Sequence, residues 1–112
     1  MGGSVVNLDG ETLMVDASKY EEFVDTQCRD YVDFNYAVVA LGGEAGEVLE
    51  WHKKRTFRGN EAYTDQMLLE EFGDVLFYLT KAAGLKGWSL EQVANANIDK
   101  LEARRKVNGV IG

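Results

Sequence analysis

A chain of 112 residues holds one domain with a modest core, small enough that association with further copies is a natural way to bury more surface. Its 46% apolar and 28% charged residues are an ordinary globular composition, with no apolar run near the roughly 18 residues of a membrane span. A net charge of -7 excludes a non-specific nucleic-acid binder, which needs a basic surface to displace counterions, so a nucleotide ligand has to bring or find a cation.

The opening Met1-Gly2-Gly3-Ser4 has neither the basic start nor the apolar stretch of an export signal, and Val6 stands where a myristoylation signal requires Ser or Thr. A cytoplasmic protein is expected. Residues 1–17 read as a separate N-terminal arm. Val5, Val6 and Leu8, then Leu13, Met14 and Val15, flank the turn pair Asp9-Gly10, a pattern compatible with a small hairpin and equally with a disordered, frayed tail. At Ser18 the pattern turns helical, and Ser18-x-x-Glu21 has the form of a capping box for a first helix over about 18–31. Cys28, the single cysteine, excludes an internal disulfide and reads as an ordinary helix residue.

A second helix over about 34–57 carries Val38, Leu41, Ala45, Val48 and Leu49 at helical spacing and ends in Lys53, Lys54, Arg55 and Arg58 before Gly59, where cations suit the helix dipole. Gly42, Gly43 and Gly46 inside it each cost about 1 kcal/mol relative to alanine. Close helix packing and a helix boundary at Gly42 and Gly43 are the two competing accounts. After a polar break over 59–64, Leu68, Phe72, Val75, Leu76, Leu79 and Ala83 define a third helix that stops around Gly84 to Gly87. Ser89-x-x-Gln92 then opens a fourth, with Leu90, Val93, Ala94 and Leu101 as its apolar positions, fading near Lys106 to Gly109. The expected architecture is all-α: a four-helix bundle-like single domain.

Two stretches are nearly the same: Glu44-Ala-Gly-Glu-Val-Leu-Glu-Trp51 and Glu71-Phe-Gly-Asp-Val-Leu-Phe-Tyr78. At about 100° per residue, Glu44, Glu47 and Trp51 fall on one edge of the second helix's apolar stripe, and Glu71, Asp74 and Tyr78 on the matching edge of the third. Packed antiparallel, the two acidic edges face each other. Crowded carboxylates raise one another's pKa and cost stability unless a cation neutralises them. Mg2+ fits best, taking hard oxygen ligands while leaving positions for water and phosphate, and Mn2+ also fits. An isolated Glu-x-x-Glu is ordinarily a solvated pair, but the duplication preserves edge, spacing and trailing aromatic. Trp51 and Tyr78 read equally as core residues and as platforms for a base. On the fourth helix Asn97 lies in the apolar stripe, with Lys100 and Arg104 along its edge. Those cations and Lys53 and Lys54 suit phosphate or a salt-bridged helix end alike. His52 falls on the apolar side as a semi-core histidine, in the wrong register for the Glu-x-x-His pairs of a di-iron bundle.

These residues closely resemble the MazG-like all-alpha nucleoside triphosphate pyrophosphohydrolases, whose signature of Glu-x-x-Glu, a spacer and Glu-x-x-Asp reads here Glu44-x-x-Glu47 and Glu71-x-x-Asp74. The likeness extends to Leu41-Gly-Gly-Glu-Ala-Gly-Glu-Val48 with Lys53-Lys54, to residues 71–79, and to Asn97-x-x-Lys-Leu-x-x-Arg104. It covers residues 18–106 and divides the chain into the arm at 1–17 and a MazG-like domain at 18–112. The resemblance implies hydrolysis of a (d)NTP to the (d)NMP and pyrophosphate in nucleotide-pool house-cleaning. Glu44, Glu47, Glu71 and Asp74 would be metal-holding and catalytic, and Trp51, Lys54, Tyr78, Asn97, Lys100 and Arg104 would bind substrate. It also implies a homodimer or dimer of dimers, with sites near the interface. A dedicated dCTP, dUTP or phosphoribosyl-ATP pyrophosphohydrolase is the alternative among enzymes, and a non-catalytic nucleotide-sensing helical module the alternative outside them.

Overall fold

The structure, a computed structural model, describes residues 5–6, 12–13 and 15–108. Strands β1 (Val5–Val6) and β2 (Thr12–Leu13) pair antiparallel, Val5 opposite Leu13 and Val6 opposite Thr12. The turn expected at Asp9-Gly10 lies outside the described residues. Four helices follow: α1 (Ala17–Gln27), α2 (Phe34–His52), α3 (Asp65–Leu85) and α4 (Leu90–Asn108). None is long and apolar enough to cross a membrane.

The first helix departs from expectation at both ends. Asp16, not Ser18, caps α1, its carboxylate accepting from the Lys19 amide at 2.8 Å. The helix stops at Gln27, which leaves Cys28 as its C-terminal cap in extended backbone. Glu21 is thereby free to act on another helix, and its Oε2 accepts the Leu90 amide at 2.6 Å, capping α4 from α1. Replacing it, Glu21→Ala, is expected to cost about 1–2 kcal/mol in urea denaturation by exposing a helix N-terminus, with Glu21→Gln recovering part of the loss.

Helix α2 runs unbroken through Gly42, Gly43 and Gly46, so no boundary falls there. A Cβ built at any of these, or at Gly73, meets nothing within 4 Å, so close packing inside the chain does not explain them either. Lys53–Phe57 continue α2 as one π-helical turn, and the left-handed Gly59, at φ +65°, lets the chain leave it. Thr64 caps α3 through the Met67 amide. At the far end of α3 a Schellman turn forms on Gly87, at φ +83°: Gly87 N–H donates to Gly84 and Trp88 N–H to Ala83. Ser89 and Gln92 then form the expected capping box, each side chain accepting the other's amide at 3.0 and 2.8 Å.

Helices α2 and α3 form an antiparallel hairpin, the most extensive packing in the chain. Its sense is fixed by Tyr36 beside Tyr78 at one end and by Trp51, whose Nε1–H donates to the Thr64 carbonyl at 2.9 Å, at the other. Helix α1 lies on α3, joined by an ion pair at 3.6 Å between Asp25 and the largely buried Lys81. Helix α4 meets α1 and α3 but not α2, and residues 94–100 are all exposed.

Four helices are present, but they do not close a core within one chain. Among the described residues only Val24, Ala37, Thr80, Ala82 and Ala83 are buried. On the side of the hairpin away from Glu47 and Asp74, α2 lines up Val38, Gly42, Ala45, Leu49 and His52, and α3 lines up Leu69, Phe72 and Leu76. All of these are exposed, Leu69 at 63%, Leu49 at 58% and Phe72 at 52%. His52 is therefore not semi-core: with that face uncovered, among the described residues it meets Thr56 Oγ1, at 3.1 Å, and Phe57 in a T-shaped contact. Asn97 is likewise exposed, because nothing among the described residues covers the middle of α4.

Candidate functional site

The opposite side of the hairpin carries the polar residues. Helical spacing brings Tyr36, Glu44, Glu47, Trp51 and Lys54 to one edge of α2 and its π-turn, and Glu71, Asp74 and Tyr78 to the facing edge of α3. Antiparallel packing lays the two sequence repeats against each other, with the first acid of each near the centre. Carboxylate oxygens of Glu44, Glu71 and Asp74 lie within 4.8 Å of one another. Glu44 and Glu71 are half-buried, and Asp74 is exposed.

Glu47 is exposed and stands outside this group of three, although its charge bears on both neighbours. Burial above all, then the charges of Asp74, Glu71 and Glu47, pushes the Glu44 carboxyl above the usual carboxylate range. Burial and the charges of Asp74, Glu47 and Glu70 do the same to Glu71. Oε2 of Glu71 is buried without a hydrogen-bond partner. An orphaned carboxylate oxygen in a cluster of like charges is costly unless a cation meets it. Three carboxylates are a hard-oxygen donor set suited to a divalent ion.

The remaining expected site residues divide. Tyr78 adjoins the acids, and burial with the nearby Tyr36, Glu44, Cys28 and Asp74 raises its hydroxyl pKa. Trp51 stands at the other end of the hairpin, about 22 Å along the axis from Tyr36 at 1.5 Å per residue, so it cannot share one pocket with Tyr78. Its indole N–H is committed to the Thr64 carbonyl, which ties the end of α2 to the start of α3 and holds the register of the acids. Lys54 pairs with Glu50 at 3.2 Å and reaches the Tyr63 hydroxyl at 3.5 Å, while Lys53 pairs with the same Glu50 at 3.6 Å. Asn97, Lys100 and Arg104 are exposed on α4, and the chain does not bring them onto the acidic hairpin.

Tyr36 and Tyr63 were missed in the sequence, although Tyr36 lies at helical spacing before Glu44 on the same edge. The periodicity was legible, but Tyr36 precedes the repeat that marks out the acids. An open cleft of about 310 Å³ lies elsewhere, lined by Glu21, Asp25, Thr80, Trp88 and Ser89 among others, and none of the four acids borders it.

The family model of the MazG nucleotide pyrophosphohydrolase domain matches residues 35–108. Comparisons with curated proteins and with solved structures find no match. The matched segment takes in nearly all of α2 and the whole of α3 and α4, with all four acids of the repeats and the cations of α4, and on this match over more than half its length the chain belongs to the MazG nucleotide pyrophosphohydrolase family.

Proposed function

We propose that the protein is a Mg2+-dependent nucleotide pyrophosphohydrolase that cleaves (d)NTPs to (d)NMPs and pyrophosphate, working in the cytoplasm to clean the nucleotide pool. One observation carries this reading: the buried, unpartnered Glu71 oxygen sits in a cluster with Glu44 and Asp74, inside the segment that matches the family. Glu44, Glu71 and Asp74 would hold Mg2+, or Mn2+ in its place, with Glu47 closing the set from one turn along α2. A divalent ion held there would supply Lewis-acid neutralisation of phosphate oxygens. Water adds at phosphorus across the α–β anhydride, one of the four carboxylates takes its proton, and pyrophosphate leaves. Lys54 leaves its pairing with Glu50 to meet the phosphates, and Lys100, Arg104 and Asn97 complete the substrate contacts from α4 of a neighbouring copy.

The exposed apolar side of the hairpin supports a homodimer or dimer of dimers. An oligomer would also explain the uncovered glycines, Asn97 and His52.

The test is pyrophosphate release across a panel of nucleotides with and without Mg2+. Glu47→Gln and Asp74→Asn, both folded, are expected to lose at least about a hundredfold in rate. Undiminished hydrolysis in both would sink the assignment. Turnover of many (d)NTPs fits pool cleaning, whereas one dominant substrate such as dCTP, dUTP or phosphoribosyl-ATP fits a dedicated enzyme. Calorimetric binding of nucleotide with no turnover would identify a sensing module instead.

A further inference from the structure

The polar side of the hairpin has two unlike ends. At one, Lys54 pairs with Glu50 and reaches the Tyr63 hydroxyl, and the Trp51 indole is pinned by the Thr64 carbonyl. At the other, Tyr36 of α2 and Tyr78 of α3 stand with ring centroids 6.4 Å apart and planes at 43°. Tyr31, from the α1–α2 connection, meets Tyr36 edge-on at 5.7 Å. These rings are not stacked face to face, and the half-buried Tyr78 also meets Phe77 in a T-shaped contact at 5.2 Å. Tyr31 is 64% exposed and Tyr36 43% exposed. Their position is set by the same helical arithmetic as the acids. Tyr78 stands one turn beyond Asp74, about 6 Å, and Tyr36 lies eight residues before Glu44, about 12 Å at 1.5 Å per residue. Along the hairpin axis the rings thus stand about 6 to 12 Å beyond the acids, on the scale of a nucleoside.

We infer that Tyr36 and Tyr78, with Tyr31 at the rim, form the platform for the heteroaromatic base of the nucleotide, so that the substrate lies along the α2–α3 groove with its base toward the α1–α2 turn and its phosphates toward Lys54. The inference rests on the nucleotide-hydrolysing reading and adds to it a direction and two residues, Tyr31 and Tyr36. Stacking is tolerant of base identity because every base presents a π-face, so this platform suits a broad range of nucleotides. Trp51 becomes a positioning residue. Its indole secures the start of α3, and through it the register of Glu71, from the end of the groove where the phosphates lie.

Calorimetry with a non-hydrolysable α,β-imido deoxynucleoside triphosphate and with inorganic tripolyphosphate, both in Mg2+, separates base from phosphate recognition. Tyr36→Ala is expected to weaken the nucleotide about tenfold or more and leave tripolyphosphate unchanged, while Tyr36→Phe, which keeps the ring, retains nearly full nucleotide affinity. Tyr31→Ala, at an exposed rim position with no part in the core, should show a smaller loss in the same direction, and so keeps the test intact if Tyr36→Ala fails to fold. Lys54→Ala should weaken both ligands. Equal nucleotide affinity in wild type and the alanine variants, or a parallel loss for tripolyphosphate, overturns the platform while leaving the pyrophosphohydrolase reading untouched. A wild-type protein that binds tripolyphosphate but no nucleotide, and hydrolyses none, overturns both.

Discussion

In metal-free buffer the protein is expected to lose stability as the pH rises above about 4.5, and to regain it at neutral pH when Mg2+ or Mn2+ is added. The sign follows from Glu44 and Glu71, whose carboxyls are both raised from the ordinary value of 4.5, first by burial and then by neighbouring acids. Between that value and their raised values the folded chain binds more protons than the unfolded one. Stability therefore falls as the pH climbs through this window and stays reduced above it. A divalent ion that binds only the folded site reverses the loss: at a hundredfold excess over its Kd it adds about 2.7 kcal/mol. For a domain of this size that is an increase in Tm of about 10 °C. Glu71→Gln removes the orphaned charge. It should raise the metal-free Tm at pH 7, flatten the pH dependence and shrink the response to metal, while hydrolysis falls with it. Thermal melts from pH 4.5 to 8 with EDTA, Mg2+ and Mn2+ decide the matter, and a flat profile with no metal response would identify the cluster as ordinary solvated acids.

Leu69→Glu and Phe72→Glu are expected to break the assembly and, with it, most of the protein's stability. In a solitary chain both positions are more than half exposed, and a charge there costs within about 0.5 kcal/mol. Buried against a second copy, the same charge is unpaired in an apolar interface and costs about 3 kcal/mol or more. Sedimentation velocity should find the wild type as a dimer or tetramer and the variants as monomers, with a Tm that depends on protein concentration only in the wild type. Variants that keep the wild-type sedimentation coefficient and Tm would show that the apolar side of α2 and α3 faces something other than another copy.

The two experiments address opposite sides of one hairpin, and the sides were unequally legible in the sequence. The polar side was read almost entirely from spacing. Glu44, Glu47, Glu71 and Asp74 were assigned to facing helix edges by arithmetic at 100° per residue, and the structure brings oxygens of Glu44, Glu71 and Asp74 within 4.8 Å while Glu47 stands outside the group. Local capping was legible where the partners are neighbours, as at Ser89 and Gln92. It misled at Ser18, because Asp16 offers a carboxylate two residues earlier and Glu21 is drawn away to Leu90, 69 residues along the chain. A capping box is a local pattern, and it cannot register a competing acceptor on another helix.

By itself, then, the sequence determined which segments are helical, the pairing of α2 with α3 through a short link, the acidic groove between them and the family to which they belong. The helices, their pairing and the groove rest on periodicity and on contacts within a turn or two, and the family on the resemblance of the ordered motifs. Only the tertiary structure decided how the side chains are arranged along the groove. It separated Trp51 from Tyr78 to opposite ends of an antiparallel hairpin, although the repeat makes them equivalent. It made Trp51 a strut to Thr64, brought Tyr36 beside Tyr78, and left Asn97, Lys100 and Arg104 away from the acids of their own chain. The physical reason is that a helical repeat records the angle of a side chain about its own axis, whereas its partner depends on the direction in which the next helix runs.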